Sequence, residues 1–428
     1  MNHIKLGAVT VERYLLYGLI LSMATYAIPF MRIGSEELAF PLGGLFIPLS
    51  CFLLLIRILS SHRFTHHNVL VFSLLLLYFS IPLASFFSVT IAMDRIVKLS
   101  IFIILPILFT NVLNNDRSLS ISLYLIIAVG LVLAIYGFYG YFSGNVGEET
   151  ERSWWLSNAR YWGIHYLPST RNSDIYYIAT PFFIIISVLF CAKLKSLTLK
   201  IFVLAVSVIF FTALVLSFSR GAWISAVVTA TVFLFMKKKG IWNGKKPRIW
   251  LIVVCTLLTI AIGYIMLNYY NTYDYFIYRL ESIIFPERAG YYLREELSNK
   301  IRIEIIKFTF DTIVSHPLGV GPDNLRVLLG SYGLSINHAE NAYLHVLAEN
   351  GIFGFAGFSI LVFYPLMFLY RKTKIRYGDW VTIGIFLTSI YLAVSYIFNV
   401  EVFSFYNWVV HSVIWSTVVT LRSNAKYA

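Results

Sequence analysis

The feature that most constrains this chain is the recurrence of long apolar runs separated by shorter polar connections. A helix that crosses the hydrocarbon core of a bilayer needs about 20 apolar residues, and we place twelve candidate spans of roughly this length. Only 13% of the residues are charged, whereas a soluble domain has about 25%. The sequence therefore predicts an all-α polytopic membrane protein, with spans at residues 14–31, 39–56, 68–89, 99–112, 119–142, 174–192, 201–217, 221–236, 249–268, 351–370, 380–398 and 403–421.

The basic connections orient this array of helices. An even number of spans places both termini on one side of the membrane, and the connections RILSSHRFTHH, KLKSLTLK, KKKGIWNGKKPR and YRKTKIRYGD fall on that same side. Cytoplasmic loops carry an excess of Lys and Arg, so both termini are expected in the cytoplasm, and the first apolar run is expected to be retained as an anchor. The net charge of +13 is then explained by topology and anionic headgroups, without nucleic acid as a partner.

Two long connections lie on the opposite, extracytoplasmic side, at residues 143–173 and 269–350. With no internal repeat, residues 1–428 are expected to form a single membrane domain. Three lysines fall on the outer side (Lys98, Lys300 and Lys307), together with eleven arginines. Arginine binds phosphate and carboxylate with two prongs, which indicates an anionic ligand on the outer face. The alternative is that arginine simply tolerates the interface better than lysine. The three cysteines form no CxxC motif, so neither a disulfide framework nor a zinc site is indicated.

The segment LVLSFSRGAW places Arg220 between two apolar runs on the outer side. An ionisable residue at membrane depth is a functional candidate, although an arginine at a helix end also extends its side chain to the interface. Gly221 is expected to permit a tight break, and Ser217 and Ser219 to bond the backbone groups that the break frees.

The segment from Asn299 to Asn324 is predicted to begin as a helix and to stop at SHPLGVGP, where proline and glycine enforce a turn. At 100° per residue, Lys300, Glu304, Lys307 and Asp311 form one polar stripe. Arg302 lies on the other face, where its charge requires a partner. That partner is either a protein carboxylate or a ligand phosphate.

The segment INHAENAYLHVLAENGIFG leads into the span at Gly351. We predict Asn337 as a helix N-cap with Glu340 as its capping-box partner. His338, Asn341, His345 and Glu349 would then share one helical face, which suggests a polar cavity. A neutral histidine can accept a proton from a hydroxyl near pH 7, and His338 is the candidate, while His345 is more typical of a structural histidine.

The outer loop from Glu151 to Asp174 mixes arginines with aromatic residues. Arg160 and Arg171 suit phosphates, and the neighbouring tryptophans and tyrosines suit sugar rings. Aromatic residues also gather at any membrane interface, so this composition alone leaves both interpretations open.

The chain resembles the bacterial O-antigen ligase and polymerase superfamily, the Wzy-C group. The resemblance rests on three pieces in order: S-x-S-R-G-A-W at Ser217 to Trp223, R-x(13)-H-P-x-G-x-G-x-x-N from Arg302 to Asn324, and H-A-E-N-x-Y-L-x-x-L-A-E-x-G at His338 to Gly351. It is strongest over residues 200–370. Many members read H-N in the third piece, whereas here Glu340 precedes the asparagine.

The resemblance implies a GT-C-like glycosyltransferase of the bacterial inner membrane that needs no metal or cofactor and works on its outer face. The donor would be a glycan on undecaprenyl pyrophosphate. The acceptor would be the lipid A–core oligosaccharide in a ligase, or another lipid-linked repeat unit in a polymerase. The catalytic residues would be His338, Arg220 and Arg302, with Arg160, Arg171, Glu340, Asn341 and His345 binding substrate. A membrane transporter is the alternative from another class, but repeated halves are absent from the sequence.

Overall fold

The computed structural model describes residues 2–26, 52, 67–85, 93–143, 175–192, 194, 196–217, 219–238, 293–334, 339, 341–373, 379–399 and 404–424. All regular secondary structure in these ranges is helical. The helices are α1 (Asn2–Tyr26), α2 (Asn68–Ser85), α3 (Met93–Val112), α4 (Asp116–Ser143), α5 (Tyr176–Cys191), α6 (Leu197–Leu216), α7 (Arg220–Lys238), α8 (Leu293–Ser315), α9 (Asn324–Ser331), α10 (Ala342–Thr373), α11 (Trp380–Ser395) and α12 (Phe405–Asn424).

The helices agree with the predicted membrane architecture where they can be compared. Ten predicted spans overlap a described helix, while residues 39–56 and 249–268 lie outside the described residues except for residue 52. Three described helical segments are long and apolar enough to cross a bilayer by length and composition, namely Asp116–Phe138, Leu197–Leu216 and Ala342–Thr373. The fold is therefore that of a helical membrane protein.

The main bundle packs through close helix pairs, in particular α2 with α10, α5 with α11 and α3 with α12. Small residues allow the closest of these approaches, because a Cβ at Gly357 of α10 would lie 2.6 Å from the Ser73 carbonyl oxygen of α2. Buried hydroxyls bond carbonyls within their own helix, as Ser73 does to Leu70 at 2.8 Å. Several buried serine and threonine hydroxyls of the bundle are thus satisfied within their own helix.

A second, smaller apolar cluster packs α8 and α9 against the start of α10. Its buried members are Ile305, Val320, Leu325, Leu329, Leu334, Ala339 and Ala348. As predicted, α8 ends before the His316–Pro317 pair, and Glu304, Lys307 and Asp311 lie on its exposed face. This small unit therefore covers one side of the segment that leads into the bundle.

The termini of several helices lie together at each of two opposite ends of the bundle. We define the closed end by residues 112–118, the start of α2 and the last turn of α12, which contact one another through side chains. Thr420 donates to the Leu113 carbonyl at 3.3 Å, and Arg422 lies 2.8 Å from His67. The opposite end, where α5, α7, α10 and α12 begin and α11 finishes, carries Arg220 and Asn341.

Candidate functional site

The connection between α6 and α7 is a short break held by its own side chains. Ser217 donates to the Leu214 carbonyl at 2.7 Å, and the Ala222 amide lies 3.4 Å from the Ser219 hydroxyl. The indole of Trp223 reaches back to the same Leu214 carbonyl at 3.1 Å. The two serines thus bond backbone groups as predicted, and they fix where α7 begins.

Arg220 is the first residue of α7 and is half-buried. Gly221 follows it inside the helix, so the prediction that this glycine makes the break was wrong. Its role is close approach, because a Cβ at Gly221 would lie 2.6 Å from the Cβ of Phe398. Phe398 belongs to the turn that follows α11. The first turn of α7 is thereby held against that turn.

The start of α10 is bound to the same turn. The Asn341 carboxamide accepts from the Leu344 amide at 3.0 Å and donates to the Ile397 carbonyl at 3.0 Å. The Ala342 amide donates to the Tyr396 carbonyl at 2.9 Å. Asn341 is therefore the N-cap of α10, and its side chain also bonds a distant carbonyl. Asn337, the predicted cap, lies outside the described residues.

These contacts place two of the three sequence pieces around one connection, residues 396–399. We define the site end by this turn and the first turns of α5, α7, α10 and α12. The Ser395 hydroxyl donates to the Tyr176 hydroxyl of α5 at 3.3 Å. The ring centroids of Tyr177 and Tyr406 are 4.0 Å apart. Arg220, the first residue of α7, brings a positively charged side chain to this end of the bundle.

The second sequence piece is bonded to the third at a break within α10. Gly351 has φ 62 and ψ −168 and interrupts the helix. The loop after α8 fits into this break: Val320 and Gly321 donate to the carbonyls of Ala348 and Glu349, both at 2.9 Å, and Ile352 donates to Pro317 at 3.0 Å. A Cβ at Gly351 would lie 2.1 Å from the Leu318 carbonyl carbon, so only glycine fits there.

His345 and Glu349 lie one turn apart before this break, with 3.4 Å between Nε2 and Oε2. Both are buried, which agrees with the prediction that they share a face. Because the helix begins at Ala342, that face does not extend back along a helix to residue 338. His345 thus sits beside an internal carboxylate, as a structural histidine would.

Arg302 lies on α8 at the edge of the small apolar cluster and is half-buried. Ile305 and Thr309, which follow it on the same face, are fully buried. This burial confirms the prediction that Arg302 lies outside the exposed polar stripe of α8. Four further candidates, His338, Glu340, Arg160 and Arg171, lie outside the described residues.

The turn at residues 396–399 was missed by the sequence analysis. A predicted span runs through Tyr396 and Phe398, whereas α11 ends at Ser395. The apolar run continues across the turn, so hydropathy cannot reveal it. Asn399, the first strongly polar residue after the run, is the one available signal.

The comparison with known families bears directly on these residues. Residues 205–359 match the family model described as O-Antigen ligase, Wzy_C. The matched region begins within α6 and ends within α10, so it contains all three sequence pieces. The comparison with curated proteins finds no match. The resemblance to the O-antigen ligase family is therefore confirmed over residues 205–359.

Proposed function

We propose that the chain is an O-antigen ligase-type glycosyltransferase of the bacterial inner membrane. It transfers a glycan from undecaprenyl pyrophosphate to a hydroxyl of lipid A–core or a similar acceptor. The reaction takes place on the outer face, at the site end of the bundle, with both termini in the cytoplasm.

One observation carries this proposal: residues 396–398 contact both Gly221, next to Arg220, and Asn341, three residues after His338. Pieces of the family motif that are far apart in sequence are thus held at one end of the bundle. The positive charge of Arg220 at the same end favours a pyrophosphate over a neutral ligand.

In the proposed reaction, the acceptor hydroxyl attacks the anomeric carbon of the donor glycan. The bond from that carbon to the pyrophosphate oxygen breaks, with inversion at the carbon. His338 takes the proton of the attacking hydroxyl. Arg220 and Arg302, with Arg160 and Arg171 from the outer loop, stabilise the negative charge that develops on the leaving pyrophosphate. Such preorganised charge is usually the largest catalytic contribution. Because pyrophosphate is already a good leaving group, the reaction requires no metal.

Glu340, Asn341 and His345 would serve the acceptor side of this site. The bonds from Asn341 to the Leu344 amide and the Ile397 carbonyl support a role in holding the start of α10. His345 would contribute from within α10, where it is buried beside Glu349.

The test is to extract and size the undecaprenyl-linked glycans of a strain that lacks this protein. We expect long polymer stranded on the carrier, because chains would be made but not handed on. Carrier with single repeat units would instead identify a polymerase that joins lipid-linked units. Unchanged lipid-linked glycan would contradict both activities and favour a transporter.

A further inference from the structure

The turn at residues 396–399 contacts both the first turn of α7 and the start of α10, so its conformation contributes to the relative position of the two helix starts. Its outer residues do not anchor it, since Ile397 is 48% and Phe398 39% exposed. Tyr396 is fully buried, so its side chain is the part of this turn that packs inside the bundle.

Tyr396 bonds in two directions. Its carbonyl accepts from the Ala342 amide of α10 at 2.9 Å. Its hydroxyl lies 2.8 Å from Nε2 of His411 on α12, a buried residue near the start of that helix. The Tyr396 ring also packs beside Tyr176 of α5, with 6.2 Å between ring centroids. One residue thus connects the end of α11 to three helices that begin at the site end.

A buried tyrosine usually finds a partner for its hydroxyl, and a hydrogen bond between side chains selects one arrangement where apolar packing alone allows several. A phenylalanine at position 396 could make the same packing contacts as Tyr396. It could not form the hydrogen bond to His411, and that bond restricts the orientation of the Tyr396 side chain beyond what packing alone does.

We propose that Tyr396 and His411 form a positioning pair that sets the turn at residues 396–399, and through it the start of α10 and the first turn of α7. This inference rests on the proposed function, because it assigns the pair to the geometry of glycan transfer. The pair touches no substrate and acts through Asn341 and Gly221.

Tyr396→Phe tests this with little change in volume. Tyr391→Phe is a matched control: Tyr391 is fully buried in α11, which ends just before Tyr396, and its hydroxyl has no hydrogen-bond partner among the described residues. Small misplacements of catalytic groups cost up to about 100-fold in rate. We therefore expect Tyr396→Phe to lower kcat by roughly 10-fold or more with an unchanged KM for the lipid-linked donor. Tyr391→Phe should retain the kcat of the unmodified protein.

A second measurement is independent of transfer activity. Hydrogen–deuterium exchange of the protein in lipid nanodiscs reports the Ala342 amide, which donates to Tyr396. Exchange in the peptide that contains this amide should rise in Tyr396→Phe and in His411→Phe. It should remain unchanged in Tyr391→Phe. The two single variants combined should behave like either one alone, because both remove the same bond.

The outcomes separate the two proposals. If the unmodified protein transfers no glycan, the proposed function fails regardless of the variants. If it does transfer glycan and Tyr396→Phe keeps both its kcat and its Ala342 protection, the positioning pair is overturned. Faster exchange with an unchanged kcat also overturns it, because the bond would then order the turn without serving the reaction.

Discussion

The two ends of the bundle use their polar groups in different ways. At the closed end, cations bind protein acceptors: Arg13 donates to the Val112 carbonyl at 3.3 Å and to the Asn114 side chain at 3.2 Å. Val112 is the last residue of α3, so Arg13 caps a helix C-terminus, where positive charge is favoured.

At the site end the contacts centre on the turn at residues 396–399. The first turn of α7 lies against Phe398, and Asn341 at the start of α10 donates to the Ile397 carbonyl. Both ends of the bundle are thus held by contacts between distant segments, and among the described residues it is the site end that brings two pieces of the family motif together. We propose that the donor pyrophosphate binds at that end.

The largest effect is expected from removing the cation at the site end. Arg220→Ala should lower the rate of glycan transfer by about 100-fold or more, since single charge-stabilising groups carry contributions of this size. Arg422→Ala removes a cation at the closed end and should leave the rate within about twofold, because rim charges contribute little. Both rates would be measured with purified protein and labelled lipid-linked glycan. Equal losses in the two variants would remove the distinction between the ends.

The break in α10 provides the next largest effect. Gly351→Ala should lower the free energy of unfolding by about 3 kcal/mol or more, because the added Cβ meets the Leu318 backbone and φ is positive. Gly330→Ala is the control, since a Cβ there meets nothing within 4 Å, and it should be neutral or slightly stabilising. Thermal unfolding in detergent measures both. A stable Gly351→Ala variant would contradict the close fit between the loop after α8 and the break.

Two substitutions separate the two roles of Asn341, which caps α10 and bonds the turn at residues 396–399. Asn341→Ala should cost about 1 kcal/mol of stability through the lost cap, and it also removes the bond to the Ile397 carbonyl. Asn341→Asp keeps an oxygen for the Leu344 amide but cannot donate to Ile397. We expect Asn341→Asp to retain stability and lose transfer rate. If both variants keep the full rate, the link from α10 to the turn has no part in catalysis.

The smallest effect is a pH dependence at the closed end. Arg422 donates to His67, and burial, together with this nearby charge, lowers the pKa of His67 to about 4. In the unfolded chain His67 binds a proton near pH 6.5, so stability is lost as the pH falls from about 6.5 to about 4. His67→Gln should weaken this part of the pH dependence of Tm. If the dependence of Tm on pH is the same in His67→Gln as in the unmodified protein, then protonation of His67 does not cause it.

Much of this structure follows from local sequence patterns. Apolar length predicted the overlapping spans, the proline and glycines after His316 predicted the end of α8, and the 3.6-residue period separated Glu304, Lys307 and Asp311 from Arg302. These features depend on neighbours along the chain, which is why sequence reasoning reaches them.

The errors concern contacts between distant segments. Asn341 donates to the Ile397 carbonyl, 56 residues away along the chain, and the sequence around Asn341 does not predict that bond. Gly221 looks like a helix breaker until Phe398 is placed against it. No local pattern encodes these tertiary contacts, so the turn that joins the candidate site could not be predicted.

The most direct test of the account is where the donor binds. A photoreactive phenylalanine analogue would be placed at Phe398, at the site end, or at Tyr370, near the opposite end of α10. The two positions are matched in exposure, at 39% and 38%. After irradiation with labelled undecaprenyl-linked glycan, we predict crosslinks at position 398 and none above background at position 370. Equal labelling, or labelling at position 370 alone, would contradict donor binding at the site end.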